Sequence, residues 1–208
     1  MQNLLLRSST LLGLFGLTLA GGNAGLAQTL SLSPAASTAA SGATSTYTIF
    51  LTGGSNLSGF DTNIIIDPIY LSFVGTAPFI SATTNPFNAQ IRDGLTSAGD
   101  LRVAFGDLGT TAVNNPGTTA LGTFQVNVLK TLPTTGTALS FGPVGSANTG
   151  GSEVADASTG ANVLKGTTGA RLNPPAAIPE ASQATVLGLC LLGLGGLAFT
   201  ARRRSAQR

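Results

Sequence analysis

The apolar residues in the middle of this chain come in short runs that alternate with polar residues, and this pattern limits the fold most. Tyr47, Ile49 and Leu51 point to one side of an extended segment. The same spacing recurs in two further stripes, which are Leu101, Val103, Phe105 and Phe124, Val126, Val128. Gly, Pro, Asn and Asp separate the runs, and no long stretch has helical periodicity. The sequence therefore predicts an all-β domain.

The same pattern predicts where the strands lie. The predicted strands are residues 29–33, 46–52, 59–66, 71–75, 101–105, 122–130, 138–141 and 162–164. Two stacked sheets would bury the alternating stripes against each other. The stretches 76–99 and 106–119 are longer than hairpin turns and contain Asn-Pro pairs, so we expect them to be loops.

The C-terminal end carries an apolar run over residues 184–201, which contains no charged residue. As a helix it would rise about 27 Å and just cross the hydrocarbon core of a bilayer. The basic residues Arg202, Arg203 and Arg204 follow it and should remain on the cytoplasmic side as a membrane stop. We therefore predict a transmembrane helix with the preceding chain on the opposite side of the membrane.

Pro179, Glu180 and Ala181 stand just before this run. The order of a Pro-Glu motif, an apolar helix and a basic cluster resembles the PEP-CTERM sorting signal of bacteria. That resemblance covers residues 178–208 and implies recognition by an exosortase, a membrane protease that removes the tail. Its third motif position is a proline in the family and Ala181 here. The implied destination is the cell surface or the extracellular biofilm matrix, after transient anchoring in the inner membrane with the C-terminus cytoplasmic.

The N-terminus has the features of a secretory signal peptide over residues 1–27. Arg7 precedes an apolar stretch at 11–20, and small residues at 24–27 predict cleavage at Ala27. A retained N-terminal anchor is the alternative, although the stretch is short for a span. What remains is one domain over residues 28–171 and a Pro-rich linker over 172–177.

The basic character of the whole chain belongs to its two ends. Residues 28–177 contain seven acidic and five basic side chains, a net charge of about −2, so they lack the basic face that nucleic-acid binding requires. The chain has no histidine, which excludes histidine-dependent catalytic triads and histidine-ligated metals. Its single cysteine, Cys190, lies within the predicted span.

Several segments of the domain resemble a cohesin-like domain, a jelly-roll β-sandwich related to carbohydrate-binding modules. The matching segments are Leu30-Ser-Leu-Ser-Pro34, Leu57-Ser-Gly-Phe60-Asp61, Ile64-Ile-Ile-Asp67-Pro68, Leu71-Ser-Phe73-Val74, Leu121-Gly-Thr-Phe124-Gln-Val126 and Thr137-Ala-Leu139-Ser. The resemblance implies a non-enzymatic scaffold or binding module whose partner is a protein or a polysaccharide. It implies no cofactor.

The carboxylates were the remaining candidates for catalysis. Asp61 and Asp67 would lie about 20 Å apart along a regular strand, too far for a glycosidase pair. Asp93, Asp100 and Asp107 are expected to cap turns. The segment 156–162 lacks the ligand pattern of a calcium loop and is expected to be a turn, so no metal site is predicted.

Tyr70 is the better candidate for an exposed aromatic than Tyr47, although packing is the expected role of both. A secreted polysaccharide hydrolase and an architectural matrix protein without a ligand are the alternatives to a binding module.

Overall fold

The structure is a computed structural model that describes residues 27–96, 99–109 and 111–176. These residues form β-strands joined by turns and loops, with one short 3-10 turn at Ala147–Thr149. The strands are β1 Thr29–Ser33, β2 Ala36–Thr38, β3 Thr44–Thr52, β4 Leu57–Ile66, β5 Leu71–Phe73, β6 Ile80–Ser81, β7 Ala89–Leu95, β8 Leu101–Gly106, β9 Thr118–Val128, β10 Thr137–Phe141, β11 Ser152–Asp156, β12 Gly166–Thr168 and β13 Ala170–Asn173. The prediction of an all-β domain is confirmed.

The strands form two sheets that pack face to face. The first sheet has the order β12-β1-β3-β9-β5, with β6 also paired to β9. The second has the order β2-β13-β10-β4-β8-β7, and β11 pairs with the first half of β4 on the edge that β10 shares. Neighbouring strands are antiparallel, except that β12 runs parallel to β1 and β2 runs parallel to β13.

The core lies between the sheets and contains the three stripes predicted from the sequence. The β3 side chains Tyr47, Ile49 and Leu51 are completely buried. Tyr47 stacks on Phe124 of β9 with ring centroids 5.8 Å apart. In the second sheet, Phe60 stacks on Phe105 at 5.6 Å. These large side chains interdigitate across the sandwich and supply the apolar burial that drives its folding.

The chain enters and leaves the sandwich at opposite ends. Thr29 lies opposite Thr52, so the chain enters where β3 ends and β4 begins. At the other terminus, Leu172 lies opposite Thr137 at the start of β10, while Leu139 of β10 lies opposite Ile66 at the end of β4. We refer to these as the entry end and the exit end.

Several sequence-based assignments differ from the structure. Residues 162–164 were predicted as a strand, but Asn162 makes only an isolated bridge to Ala155. The predicted loop 76–99 contains β6 and β7, and β2, β11 and β12 were missed. These strands are short or interrupted by a bulge, so their alternation is weak. The strand predicted at 122–130 begins at Thr118, inside the predicted loop 106–119. The linker was predicted to begin at residue 172, yet Leu172 and Asn173 end β13 because Leu172 is fully buried in the core.

The predicted signals at the two termini fall almost entirely outside the described residues. Ala27 is the first described residue and is exposed. The sorting motif Pro179, Glu180 and Ala181, the span at 184–201 and the stop at Arg202, Arg203 and Arg204 lie beyond residue 176. In the described ranges there is no helix with the length and apolar character needed to cross a membrane.

Asp156 ties two loops together at the entry end. Its Oδ1 accepts hydrogen bonds from the backbone N–H and the hydroxyl groups of both Ser158 and Thr159, at 2.7 to 3.0 Å. Its Oδ2 accepts one from Nδ2 of Asn56 at 3.0 Å. The Ser158 hydroxyl, followed by the other donors, lowers the pKa of the Asp156 carboxyl far below its usual range. The segment 156–162 is thus a turn held by its own carboxylate.

We predict that Asp156→Asn destabilises the protein at neutral pH, because the ionised carboxylate binds five donors that an amide cannot satisfy equally. A carboxyl whose pKa is depressed in the folded state contributes stability above its ordinary pKa, and this contribution is lost as the pH falls through the acid range. Urea unfolding should therefore show a lower free energy of unfolding for the variant than for the wild type at pH 7. The difference should become smaller at pH 3. Asp107→Asn, at the same end, is the matched control. A gap of equal size at both pH values would contradict this role.

Candidate functional site

The candidate site is the outer face of the second sheet, formed by side chains that alternate with the core residues of four adjacent strands. We call it the charged face. Its residues are Gly59, Asp61 and Asn63 of β4, Arg102, Ala104 and Gly106 of β8, Ile91, Arg92 and Gly94 of β7, and Glu153 and Ala155 of β11. Four of the seven charged side chains that lie within the described strands are here.

Strand register places charged residues in one row and small residues in the next. Glu153 lies opposite Asp61, Asp61 lies opposite Ala104, and Arg92 lies opposite Ala104 from the other side. The neighbouring row has no side chain larger than a methyl group. Its members are Ala155, Gly59, Gly106 and Ala89. The face therefore combines a charged ridge with a shallow floor.

A bidentate ion pair between Asp61 and Arg102 forms the centre of the charged face. Arg102 donates from Nε to Oδ1 at 2.9 Å and from Nη2 to Oδ2 at 2.5 Å. The two side chains are only 13% and 19% exposed, so the pair is largely shielded from water. Hydrogen bonding to Asp61 raises the pKa of Arg102 above its usual value, and the charge of Glu153 adds to the effect. This geometry fixes both side chains in one arrangement.

A buried asparagine supports the ion pair from the side. Asn63 donates from Nδ2 to the carbonyl oxygens of Ala147 and Gly151, at 3.1 and 2.9 Å. These bonds hold the 3-10 turn against β4. Asn148 in that turn then accepts a hydrogen bond from Nη2 of Arg102 at 2.8 Å. Asn63 thus positions Arg102 through the turn, although its own side chain is 97% buried and cannot contact a ligand.

Two clefts lie on either side of this ion pair. The first has a volume of about 240 Å³ and is lined mainly by the small-residue row, Asp61, Glu153 and Ile91. The second has a volume of about 550 Å³ and is lined by Arg92, Arg102 and the residues from Asp93 to Thr96. The first cleft is therefore bordered by carboxylates alone, whereas the second is bordered by two guanidinium groups and the Asp93 carboxyl. Positive and negative groups thus lie side by side on this face, which suits a ligand that carries charges of both signs.

Close strand approach sets the floor of the first cleft. A Cβ atom on Gly59 would lie 2.4 Å from the carbonyl oxygen of Phe105, a distance that real structures do not allow. Gly106 lies beneath Ile91, whose Cδ1 would be 3.0 Å from a Cβ there. Ile91 is 68% exposed and sits at a bulge in the edge strand β7. An apolar side chain thus projects over the floor.

The structure separates the carboxylates that were candidates for catalysis. Asp61 is held by Arg102, while Asp67 lies just past β4 and accepts the Ile69 N–H at 2.9 Å. Asp93 accepts the Phe79 N–H, and burial raises the pKa of its carboxyl as it does for Asp100. Of the three carboxyls expected to cap turns, Asp107 does so by accepting the Gly109 N–H at 3.0 Å. Asp93 instead lies within β7 and bonds a distant segment. Within the described ranges, His, Cys, Asp and Glu do not form any group of three that could hold a metal ion.

None of the site residues Glu153, Arg92 and Arg102 was identified as such from the sequence, and Glu153 shows why. It lies far from Asp61 in the chain and becomes its neighbour only because β11 pairs with β4. A buried hydrogen bond of 2.7 Å between the hydroxyls of Thr62 and Ser152 helps to set this register. No signal in the local sequence indicates such a pairing.

Both tyrosines serve packing, as expected. Tyr47 is fully buried and shares a hydrogen bond of 2.7 Å with the Ser37 hydroxyl, and burial raises its pKa. Tyr70 is half-buried at the exit end, with Nζ of Lys130 lying 5.0 Å from its ring centroid. Neither ring belongs to the charged face.

The sandwich has the fold of cohesin domains. A type II cohesin, A11, from Bacteroides cellulosolvens superposes with a TM-score of 0.56 at 18% identity, covering 70% of this chain and 99% of that one. A type II cohesin from the cellulosome of Acetivibrio cellulolyticus gives 0.55 at 20% identity, covering 70% and 95%. The sixth cohesin of scaffoldin B from the same organism, solved in complex with a Cel5 dockerin mutant, gives 0.51 at 16% identity, covering 71% and 98%. No protein-family model and no curated protein sequence matches this chain. The cohesin-like sandwich predicted from the sequence is confirmed as a fold.

We predict that Gly59→Ala destabilises the domain by about 1–3 kcal/mol, because its methyl group must displace the β8 backbone. Gly166→Ala is the matched control, since a Cβ there has no neighbour within 4 Å, and it should change stability by less than about 0.5 kcal/mol. Urea unfolding measures both. Equal stability of the two variants would show that the floor of the first cleft is not set by strand approach.

Proposed function

We propose that this protein is an exported, non-enzymatic component of the bacterial cell surface or extracellular matrix, and that its charged face binds a protein partner. The observation that carries the proposal is the fixed Asp61–Arg102 pair between a cleft bordered by carboxylates and a cleft in which two arginines lie beside Asp93. A fixed arrangement of positive and negative charges favours a partner whose charges are complementary to it. It disfavours partners that place like charges against it.

The composition of the charged face also favours a protein. Arginine and exposed aliphatic side chains are common at protein interfaces, and here Arg92 and Ile91 project from the same strand. Small residues on the floor allow a partner to approach the backbone closely. One of the structurally similar cohesins is seen in complex with a dockerin, which is itself a protein module. The fold is therefore compatible with this mode of association.

The alternative of a hydrolase gains no support from these contacts. Asp61 is paired with Arg102, while the carboxylates of Asp67, Asp93 and Asp107 each accept a backbone N–H. A glycosidase requires one carboxyl to be free as an acid and another as a base or nucleophile. Binding is the role that the arrangement favours.

Export and sorting follow from the two termini and remain part of the proposal. The signal peptide would be removed at Ala27, and an exosortase would recognise Pro179, Glu180 and Ala181. The span at 184–201 and the stop at Arg202, Arg203 and Arg204 would hold the precursor in the inner membrane. Because the chain leaves at the exit end, the entry end and the loops around Asn56 would point away from that membrane.

We expect site-specific photo-cross-linking from the charged face to capture another protein. A photoreactive phenylalanine analogue at position 91 in cells that export the protein should give a cross-linked band containing a second polypeptide. The same analogue at Gln125, on the outer face of the first sheet, is the control and should give none. Arg92→Glu should abolish the band because it reverses one charge of the pattern. A band from position 125 that equals the one from position 91 would contradict the assignment of the site.

We expect mass spectrometry of the exported protein to find an N-terminus at Gln28 and a C-terminus between Pro179 and Ala181. Changing both Pro179 and Glu180 to alanine should leave an uncut chain in the membrane fraction. Substituting Asn173 and Pro174 instead changes the adjoining chain without touching the motif, and cleavage should continue. An intact Arg208 on the wild-type exported protein would rule out exosortase processing.

A further inference from the structure

The outer face of the first sheet carries hydroxyl and amide side chains and no charge. We call it the hydroxyl face. Its residues are Thr29, Ser31 and Ser33 of β1, Thr44, Thr46, Thr48, Phe50 and Thr52 of β3, Thr118, Ala120, Thr123, Gln125 and Asn127 of β9, Ser72 of β5, Ile80 of β6, and Gly166 and Thr168 of β12. No Lys, Arg, Asp or Glu occurs among them. In this absence of charged side chains it differs from the charged face, which lies on the other side of the sandwich.

Strand register arranges these side chains in regular cross-strand rows. Thr52 lies between Thr29 and Thr118, and Thr48 lies between Ser33 and Thr123. Neighbouring strands in a sheet are about 4.8 Å apart, so hydroxyl groups recur at that spacing across the face. The result is an extended polar surface. None of the clefts described above lies on it.

Part of the face is pre-ordered by its own hydrogen bonds. The hydroxyls of Thr52 and Thr118 are 2.9 Å apart, and Thr44 donates to Oδ1 of Asn127 at 2.7 Å. Gln125 donates from Nε2 to the Thr46 hydroxyl at 3.2 Å. These bonds link β3 to β9 and fix side-chain rotamers that a ligand would otherwise have to order.

The middle of the face differs, because its hydroxyls have no partner among the described residues. Ser31 lies opposite Phe50, while Thr48 and Thr123 lie opposite each other in the adjoining row. None of these three side chains makes a hydrogen bond within the described ranges. Their hydroxyl groups can therefore donate and accept hydrogen bonds with a ligand. Phe50 itself is half-buried and presents the one aromatic ring among the hydroxyl-face residues.

We propose that the hydroxyl face binds an extended, uncharged polysaccharide. Neutral sugars offer hydroxyl groups that donate and accept hydrogen bonds, as Ser, Thr, Asn and Gln do, and apolar C–H faces that pack on an aromatic ring or on threonine methyl groups. An uncharged surface has no attraction for an anionic or cationic polymer. Its flatness suits a long chain, whereas small ligands need a concave pocket. This inference concerns a second surface and does not depend on the proposed protein partner.

Polysaccharide affinity electrophoresis of the full-length protein in mild detergent would test it. The probes are hydroxyethylcellulose and dextran as neutral polymers and alginate as an anionic one. The wild-type protein should be retarded by at least one neutral polymer and not by alginate. Raising the salt concentration should leave the retardation unchanged, because charge makes no contribution.

Three variants locate the binding. Phe50→Ala should weaken it about tenfold through loss of the stacking surface. Gln125→Glu adds one carboxylate at an exposed position without changing side-chain size, and should weaken it severalfold because a charge would be desolvated beneath the polymer. Glu153→Gln, the reciprocal change on the opposite sheet, should leave the retardation by neutral polymers unchanged. Circular dichroism and urea unfolding would separate a binding defect from misfolding, and Gln125→Glu keeps the test valid if Phe50→Ala fails to fold.

Several results would overturn the proposal. They are the absence of retardation by either neutral polymer, retardation that Phe50→Ala and Gln125→Glu leave unchanged, and stronger, salt-sensitive retardation by alginate. Light scattering that shows a dimer disrupted by Gln125→Glu would assign the face to a second copy of this chain instead. Because cross-linking at position 91 reports only on the charged face, either proposal can fail while the other stands.

Discussion

The whole molecule depends on the burial of one sheet against the other. The sequence offers the described domain no cysteine and therefore no disulfide, so the stability of this part of the chain rests on apolar contact between the two inner faces. Tyr47, Phe73 and Phe124 of the first sheet form one aromatic cluster, and Phe60, Phe79, Phe87 and Phe105 form another. Side chains on a regular strand alternate between the two faces of the sheet. The residues next to a core residue therefore point outward. Both candidate binding faces are in that sense products of the core.

The core could be predicted because its signal is local. Stripes such as Leu101, Val103 and Phe105 alternate without interruption, and each proved to lie in a strand close to the expected one. The edge strand β7 could not be found in this way. Its Ile91 is exposed, a bulge follows Gln90, and Arg92 and Asp93 occupy consecutive positions, so the period of two is broken. Strand β13 was assigned in part to a linker because the adjoining prolines obscured the buried Leu172.

The candidate sites were harder to predict than the fold because they are built across strands. From the sequence, Asp61 was considered only as a catalytic carboxylate and set aside. Its place beside Arg102 and Glu153 comes from pairings with two other strands that are distant in the chain. The same holds for the hydroxyl face. Threonine and serine are common in the sequence, yet only the register shows that they gather on one sheet and that the charged side chains gather on the other. Composition alone does not show which side chains become neighbours, because that depends on how the strands pair.

The parallel pairs at the sheet edges join residues that are far apart in the chain. Thr29 at the start of the domain pairs with Gly166, and Asn173 near its end pairs with Thr38. Neither sheet can therefore be completed until almost the entire domain has been synthesised and released. Long-range pairing of this kind slows folding, since the loop between partners must close before any contact is gained. A slow, late closure keeps the polypeptide unfolded for longer, and an unfolded chain is what the proposed export through a secretion channel would require.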